Sequence, residues 1–157
     1  MSFDVQTYSP SEVVFTLAGT TISGWDRITI KRSAPSFKMV RGIRNRHTRV
    51  RNKDTSAIIE LELLGTSSSN DLLTAIVEKD EKFGTGRIEL MIKDTLGTFN
   101  FNSIEGYITG YADMSFGSDV GTRTWVIECL TSSYSRGEGW GVASLFKSAS
   151  NAVSGLF

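Results

Sequence analysis

The chain is poor in the residues that most often build disulfide, metal and catalytic sites. It holds one Cys and one His among its 157 residues. A single Cys129 excludes a disulfide framework within the chain, and its position in an apolar, strand-like run predicts a buried side chain. One Cys and one His also exclude a zinc site with the usual nitrogen and sulfur ligands. We therefore expect no metal and no cofactor.

Candidate catalytic groups are equally sparse. His47 lies among five arginines and has no evident partners for a nucleophilic triad. Glu60 and Glu62 are two residues apart on a predicted strand and so share one face, which favours a solvated or pore-facing role over an acid–base pair. The sequence GTGR at 84–87 lacks the phosphate-loop pattern. We predict that the protein is not an enzyme.

Membrane and export signals are absent from the sequence as well. The first ten residues carry neither a basic nor an apolar segment of the kind found in secretory leaders. No apolar run reaches the roughly 20 residues of a transmembrane helix. We expect a soluble, cytoplasmic product with no membrane partner.

The most informative feature that the sequence does contain is a segregated block of positive charge. Residues 31–53 hold nine of the 17 Lys and Arg and no Asp or Glu, so the rest of the chain carries a balance of −9. Such segregation predicts a partner of opposite sign. Seven of these cations form a predicted contact arm over 38–53: Lys38, Arg41, Arg44, Arg46, Arg49, Arg51 and Lys53.

The arm has two interpretations. Gly42, Asn45 and Asn52 interrupt any helix, so we predict an extended hairpin or loop that projects from the body. Seven cations would suffice for salt-sensitive binding to phosphates. However, Phe37 is the one aromatic residue nearby, which is little for stacking on single-stranded bases. Nucleic acid and an acidic protein surface are equally compatible with this pattern.

Apolar alternation predicts a mainly β fold. We expect about seven strands, the clearest over 55–65, in an antiparallel β-sandwich or partly closed barrel. One strand region is predicted over 99–116, with a hairpin loop at 117–122. An internal helix over 66–84 flanks the sheet, capped by Ser69 or Asn70 and ended by Gly84.

The C-terminal residues form a separate predicted unit. We expect a domain over 1–135, followed over 136–157 by a linker and an amphipathic helix. The polar face of this helix holds Ser and Asn with one Lys, so docking on a partner protein is favoured over insertion into a membrane interface. The predicted docking stripe is Val142, Leu145, Phe146, Ala149, Val153 and Leu156.

Two stretches resemble the tail-tube proteins of contractile-tailed bacteriophages. One is NKDTSAIIELELLGTSSSNDLLTAIVEKDE, with matching residues at Asn52, Asp54, Leu61, Leu63, Leu64, Thr66, Ser67, Ser69, Asn70, Asp71 and Leu72. The other is SGWDRITIKRSAPSFKMVRG, with matches at Gly24, Asp26, Ile28, Ile30, Arg32 and Phe37. The similarity spans residues 10 to 132.

The resemblance implies a structural virion protein. Its β-sandwiches would join into hexameric rings that stack into a tube for DNA ejection, inside a sheath and around a tape measure. In that family the long loop after the second strand reaches the next ring. Acidic side chains usually line the lumen, and Glu60, Glu62 and Glu89 are the candidates here.

Two departures from the family pattern refine this expectation. The loop is strongly basic, and the helix at 141–157 is an addition to the family core. Both features suit a tube subunit that makes additional contacts with its neighbours, or a tube-like baseplate ring. We predict a tail protein of the virion, assembled in the host cytoplasm, whose arm contacts a neighbouring tube or baseplate protein and which meets genomic DNA only in transit. The alternative is a free nucleic-acid-binding β domain.

Overall fold

The computed structural model describes residues 7–136. The predicted helix at 141–157 therefore lies outside the described residues. Single 3-10 turns occupy Pro10–Glu12 and Ile43–Asn45. The remaining elements are β1 Val13–Leu17, β2 Thr20–Thr21, β3 Trp25–Arg32, β4 Phe37–Arg41, β5 His47–Arg51, β6 Ala57–Leu64, α1 Ser69–Phe83, β7 Ile88–Asp94, β8 Phe99–Ile108, β9 Thr122–Cys129 and β10 Ser133–Arg136.

Eight of the strands form one antiparallel sheet. Seven run in the order β2-β1-β7-β8-β9-β6-β3, and β10 pairs with β8. The mainly β, antiparallel fold class is thereby confirmed, with one helix among the described residues. The sheet is not closed into a barrel, because β2 and β3 remain at its two ends. The strands β4 and β5 form a separate two-stranded sheet.

The hydrophobic core forms a single cluster on the inner face of this sheet. Alternation in β6 buries Ile59, Leu61 and Leu63, while Glu60 and Glu62 lie on the outer face. Strands from both halves of the sheet and the helix contribute to the same cluster. Cys129 is buried in it, as predicted, and burial raises the pKa of its thiol.

Helix α1 packs Leu73 and Val77 into the core and ends where the sequence predicts. Gly84 adopts a φ of 65°, a conformation that favours glycine, and its N–H donates to Asp80 O at 2.7 Å. Along the described chain no helix is both long and apolar enough to cross a membrane.

The predicted N-cap of α1 is wrong. The capping residue is Ser68, and its side chain makes no capping hydrogen bond. Ser69 Oγ instead accepts the N–H of Ser23 at 3.0 Å. Asn70 is buried, and its Oδ1 accepts the indole N–H of Trp125 at 3.0 Å. Ser69 therefore ties the helix start to the segment between β2 and β3, and Asn70 ties it to the buried indole of β9.

The predicted strand end at residue 116 is also wrong. Strand β8 ends at Ile108, and β9 begins at Thr122, so residues 109–121 form a long loop in place of a short hairpin turn. Apolar residues at 112, 114 and 116 imitate strand alternation. Of the three, only Ala112 is buried, and none of the strands within residues 7–136 pairs with the other two. The described residues form ten strands, against about seven expected, and four of the ten are the short strands β2, β4, β5 and β10.

Candidate partner-binding hairpin

The basic arm forms a β-hairpin that continues the β3–β6 pair beyond the sheet. Its root is held by two backbone hydrogen bonds, from Ser33 N to Ser56 O at 3.0 Å and from Asn52 N to Ser36 O at 2.8 Å. Asp54 Oδ1 accepts the N–H of Ser56 at 2.9 Å, and this bond holds the pKa of the Asp54 carboxyl below its usual value. The projecting hairpin predicted from the sequence is thereby confirmed.

The two faces of the hairpin differ in composition. Residues directly opposite each other in an antiparallel pair lie on the same face. The register therefore places six residues on one face: Phe37, Met39, Arg41, His47, Arg49 and Arg51. The other face carries Lys38, Val40, Thr48 and Val50. Every residue of both strands is exposed, so neither face packs on the described body.

A tight turn presents the tip. Arg44 and Asn45 both have positive φ, 66° and 61°, as the tight turns favoured in hairpins require. The Arg41 guanidinium donates to Asn45 Oδ1 from Nε at 3.1 Å and from Nη2 at 2.6 Å, which fixes the turn against the strand. Ile43 is 92% exposed at this tip. An apolar side chain so placed favours a contact with another molecule.

Two of the nine cations at 31–53 belong to the sheet and not to the arm. Lys31 Nζ lies 3.6 Å from a Glu60 carboxylate oxygen. The Arg32 guanidinium stacks 5.0 Å from the ring centroid of Tyr134.

The seven predicted arm cations have no carboxylate within ion-pair distance among the residues that the structure describes. Arg49 lies over the Phe37 ring at 4.4 Å. The hairpin thus presents unneutralised charge together with exposed apolar surface.

The three carboxylates predicted to line a lumen are not one cluster. Glu60 and Glu62 are neighbours on the outer face of β6, where Thr29 and Arg27 of β3 oppose them. Glu89 lies exposed on β7, which β8 and β9 separate from β6 in the sheet order. The lumen assignment stays a prediction for all three residues.

The described residues hold no group of three or more His, Cys, Asp or Glu that could bind a metal. His47 lies on the exposed hairpin, opposite Arg41. The docking stripe predicted at 142–156 lies outside the described part of the chain and stays a prediction.

A second exposed surface was missed by the sequence interpretation. The loop at 109–121 exposes Tyr111, Met114, Phe116 and Val120, and Phe116 is 87% exposed. The Tyr111 hydroxyl donates to Glu81 Oε2 at 3.3 Å, which ties the loop to the end of α1. The turn residues Gly117 and Gly121 were a sequence signal for a loop, but the apolar alternation before them concealed where it began.

The edges of the open sheet form a third exposed feature. Strand β3 pairs with β6 on one side only, so its other side presents unpaired backbone groups. A groove lies between this edge and the opposite end of the sheet. Apolar side chains from both sides line it, namely Val13, Trp25, Ile28, Ile30, Ile92 and Phe99.

Comparisons with known proteins find a phage structural protein of similar sequence and solved structures of similar fold. No protein-family model matches the chain. The chain is 29% identical over 148 residues to structural protein ORF10 of Pseudomonas phage KPP10, an alignment that covers 87% of this chain and 86% of that protein.

Two solved structures share its fold. The cap that terminates the tube of the anti-feeding prophage has a TM-score of 0.57 at 10% identity, covering 87% of this chain and 96% of the cap. The sheath/tube terminator of the extracellular contractile injection system PVC, in its extended state, has a TM-score of 0.53 at 9% identity, covering 84% of this chain and 99% of that chain. At these identities the likeness concerns the fold alone.

Proposed function

We propose that the chain is a non-enzymatic, ring-forming structural subunit of a contractile phage tail or related injection particle. The observation that carries this proposal is the open sheet with its two free edges, in a fold shared with terminators of such particles. The sequence similarity to a phage structural protein supports the same class.

The free edges give a physical reason for a ring. An unpaired edge strand of eight residues, such as β3, is a template for another strand and a liability in a lone subunit. Pairing β3 of one copy with the β1–β2 edge of the next is a head-to-tail contact. Such contacts close into a ring when the rotation from one copy to the next divides a full turn evenly. The groove between the edges would then be covered at each contact between neighbouring copies. A ring of six, as in the tail-tube family, is our proposal for the number.

The ring would belong to the tube-like components of the tail. The resemblance to tail-tube proteins favours a tube subunit or tube-like baseplate ring, and the two solved structures add a ring at the terminus of the tube. In each position the domain at 1–135 would surround the channel for DNA ejection. Sheath, tape measure and adjoining tube or baseplate proteins would be neighbours, with the docking stripe at 142–156 as a further contact.

Assembly of the purified protein tests the proposal. We expect negative-stain electron microscopy to show rings with a central channel. Ile28→Lys places a charge in the groove and should abolish the rings. The matched control is Thr29→Lys, which places the same charge on the outer face of the same strand. Edge-to-edge assembly would be refuted if the protein stayed monomeric at high concentration. It would also be refuted if both variants affected ring formation equally while circular dichroism showed that both were folded.

The nucleic-acid alternative makes a different prediction. A free DNA-binding domain would bind duplex DNA as a monomer, with an affinity that falls steeply with salt. We expect rings without such binding. Monomeric, salt-sensitive binding that disappears when Arg44, Arg46, Arg49 and Arg51 are neutralised would favour the alternative.

A further inference from the structure

We propose that the C-terminal segment, residues 140–157, occupies the apolar groove beside β3 of its own chain before assembly. The segment must leave this groove before the proposed ring contact can form, since that contact covers the same groove. The docking itself concerns one copy of the chain, and its consequence for assembly rests on the proposed function.

The groove lies where the hydrophobic core reaches the surface. Four of its lining residues, Val13, Trp25, Ile28 and Ile30, pack against the core and are only partly buried. The groove has a volume of about 430 Å³, within the range of roughly 300–1,000 Å³ that is typical of ligand-binding clefts. An apolar cleft of this size beside an unpaired strand edge favours an occupant.

The described part of the chain ends beside this groove. Arg136 in β10 pairs directly with Phe99 of β8, and Phe99 lines the groove. The Tyr134 ring lies 6.1 Å from the Phe99 ring, and the Arg32 guanidinium at the end of β3 lies 5.0 Å from the Tyr134 ring. Residues 137–157 therefore continue from a point next to the groove.

The composition of the C-terminal segment suits an apolar groove with a negative balance. From Trp140 onward the sequence holds one charged side chain, Lys147, beside the predicted apolar stripe. The groove lining contains the carboxylates of Asp26 and Asp94 and a single cation, Arg27. Lys147 therefore complements the charge of the lining, and the stripe complements its apolar surface.

The lengths of the segment and the groove also agree. Strand β3 has eight residues and spans about 23 Å at ~3.3 Å per residue. As a helix, the predicted docking stripe at 142–156 would span about 21 Å at ~1.5 Å per residue. Residues 137–141 can extend up to about 17 Å from Arg136, and their three glycines permit a sharp turn. The segment is therefore long enough to follow β3 from one end to the other.

The tether favours the groove of the same chain over that of another copy. A segment joined to its site by a short linker meets it at an effective concentration on the order of mM, which exceeds the concentration of free copies in a dilute solution. Occupation of the groove would keep free subunits from pairing their edges too early. Ring closure would release the segment, and its stripe could then contact an adjoining protein.

Intramolecular disulfide trapping in the full chain tests the docking. The chain carries Ile28→Cys in the groove with either Leu145→Cys or Ala149→Cys on the stripe, and buried Cys129 stays in place. The matched control carries Thr29→Cys, on the outer face of the same strand, with the same second cysteine. We expect at least one Ile28→Cys pair in dilute, oxidised monomer to form at least about fivefold more intramolecular disulfide than its control. Mobility on a non-reducing gel distinguishes a disulfide within one chain from a dimer.

Assembly provides a second, independent measurement. Leu145→Asp with Ala149→Asp places two charges on the stripe, and Ser144→Asp with Ser148→Asp places the same charges on the polar face. We expect the stripe variant to form rings at an about tenfold lower protein concentration than the unmodified chain, because the groove is then free in a larger fraction of subunits. The polar-face variant should form rings at the same concentration as the unmodified chain. Light scattering with negative-stain electron microscopy measures both concentrations.

Three results would overturn the inference. One is trapping by both Ile28→Cys pairs that is no stronger than in their controls, which would mean that residues 1–6 or a partner protein occupies the groove. Another is a disulfide that joins two chains, which would assign the groove to the segment of a neighbouring copy. The third is ring formation by the stripe and polar-face variants at equal concentrations.

Electron microscopy of the unmodified chain separates these failures from failure of the proposed function. Rings without intramolecular trapping reject the docking and leave the ring proposal standing. Trapping without rings supports the docking and rejects the ring. Absence of both rejects both proposals.

Discussion

The buried pair Asn70 and Trp125 gives the most direct test of how this fold is held together. Trp125 is fully buried and Asn70 is 2% exposed. Asn70 Oδ1 accepts the indole N–H at 3.0 Å, and its Nδ2 donates to Leu64 O at 2.9 Å and Ser67 O at 3.1 Å. One side chain thus joins the end of β6, the start of α1 and the middle of β9. We expect Asn70→Ala to be among the most destabilising single substitutions in the sheet.

The magnitude follows from the bonds that would be lost. Three hydrogen bonds at a net ~1 kcal/mol each, with a buried indole N–H left without an acceptor, suggest a loss of about 3 kcal/mol. For a domain of this size that corresponds to a fall in melting temperature of roughly 6–12 °C. Urea denaturation followed by tryptophan fluorescence measures the change in the free energy of unfolding.

Two variants make the measurement decisive. Asn102→Ala removes the same side chain from an exposed position on β8 and should cost less than about 0.5 kcal/mol. Trp125→Phe removes the N–H donor, and the double variant with Asn70→Ala should be less destabilised than the sum of the two single changes by about 1 kcal/mol. Two results would refute the claim that Asn70 and Trp125 join the three elements. One is a loss of stability in Asn70→Ala no larger than in Asn102→Ala, and the other is additivity of Asn70→Ala and Trp125→Phe.

Three further predictions concern other contacts. Cys129 should react with a thiol reagent at neutral pH only after unfolding, because burial raises its pKa, and rapid reaction of the folded protein would contradict its placement. The Tyr107 hydroxyl donates to Glu128, and this hydrogen bond raises the pKa of Tyr107. The stabilisation that the bond provides should therefore be complete below pH ~10 and be lost as the pH rises through the raised pKa of Tyr107. Tyr107→Phe should remove that part of the alkaline pH dependence, and an unchanged profile would argue against it. Gly24→Ala should lower the free energy of unfolding by roughly 1–3 kcal/mol, because φ is 70° and a Cβ would lie 2.8 Å from Ser67 side-chain atoms. An unchanged melting temperature would count against this.

The sequence predicted the elements whose causes are local. Alternation in β6, the apolar stripe of α1 and the positive φ at Gly84 all depend on residues a few positions apart. The hairpin was predictable for the same reason, since glycine and asparagine interrupt a run of like charges that no packed surface would accommodate. These features needed no knowledge of distant partners.

The errors arose where a distant partner decides the outcome. Asn70 has the chemistry of an N-cap, but its Oδ1 instead accepts the indole N–H of Trp125, which lies 55 residues further along the chain. Met114 and Phe116 alternate as strand residues do, but no strand in the described part of the chain pairs with them. A local sequence pattern predicts whether a residue is apolar, charged or able to cap a helix. It does not predict which distant group that residue contacts in the fold.

The charge arrangement connects the fold to assembly. A chain with no net charge could pair its cations with nearby carboxylates, but among the described residues the seven cations at 38–53 have no carboxylate within ion-pair distance. The positive charge of the arm is therefore balanced over the chain as a whole and not at close range. A partner that carries the opposite charge would supply the missing balance, and complementary charge favours the correct partner and register. Under the proposed function, we therefore expect the arm to contact a neighbouring protein of the particle.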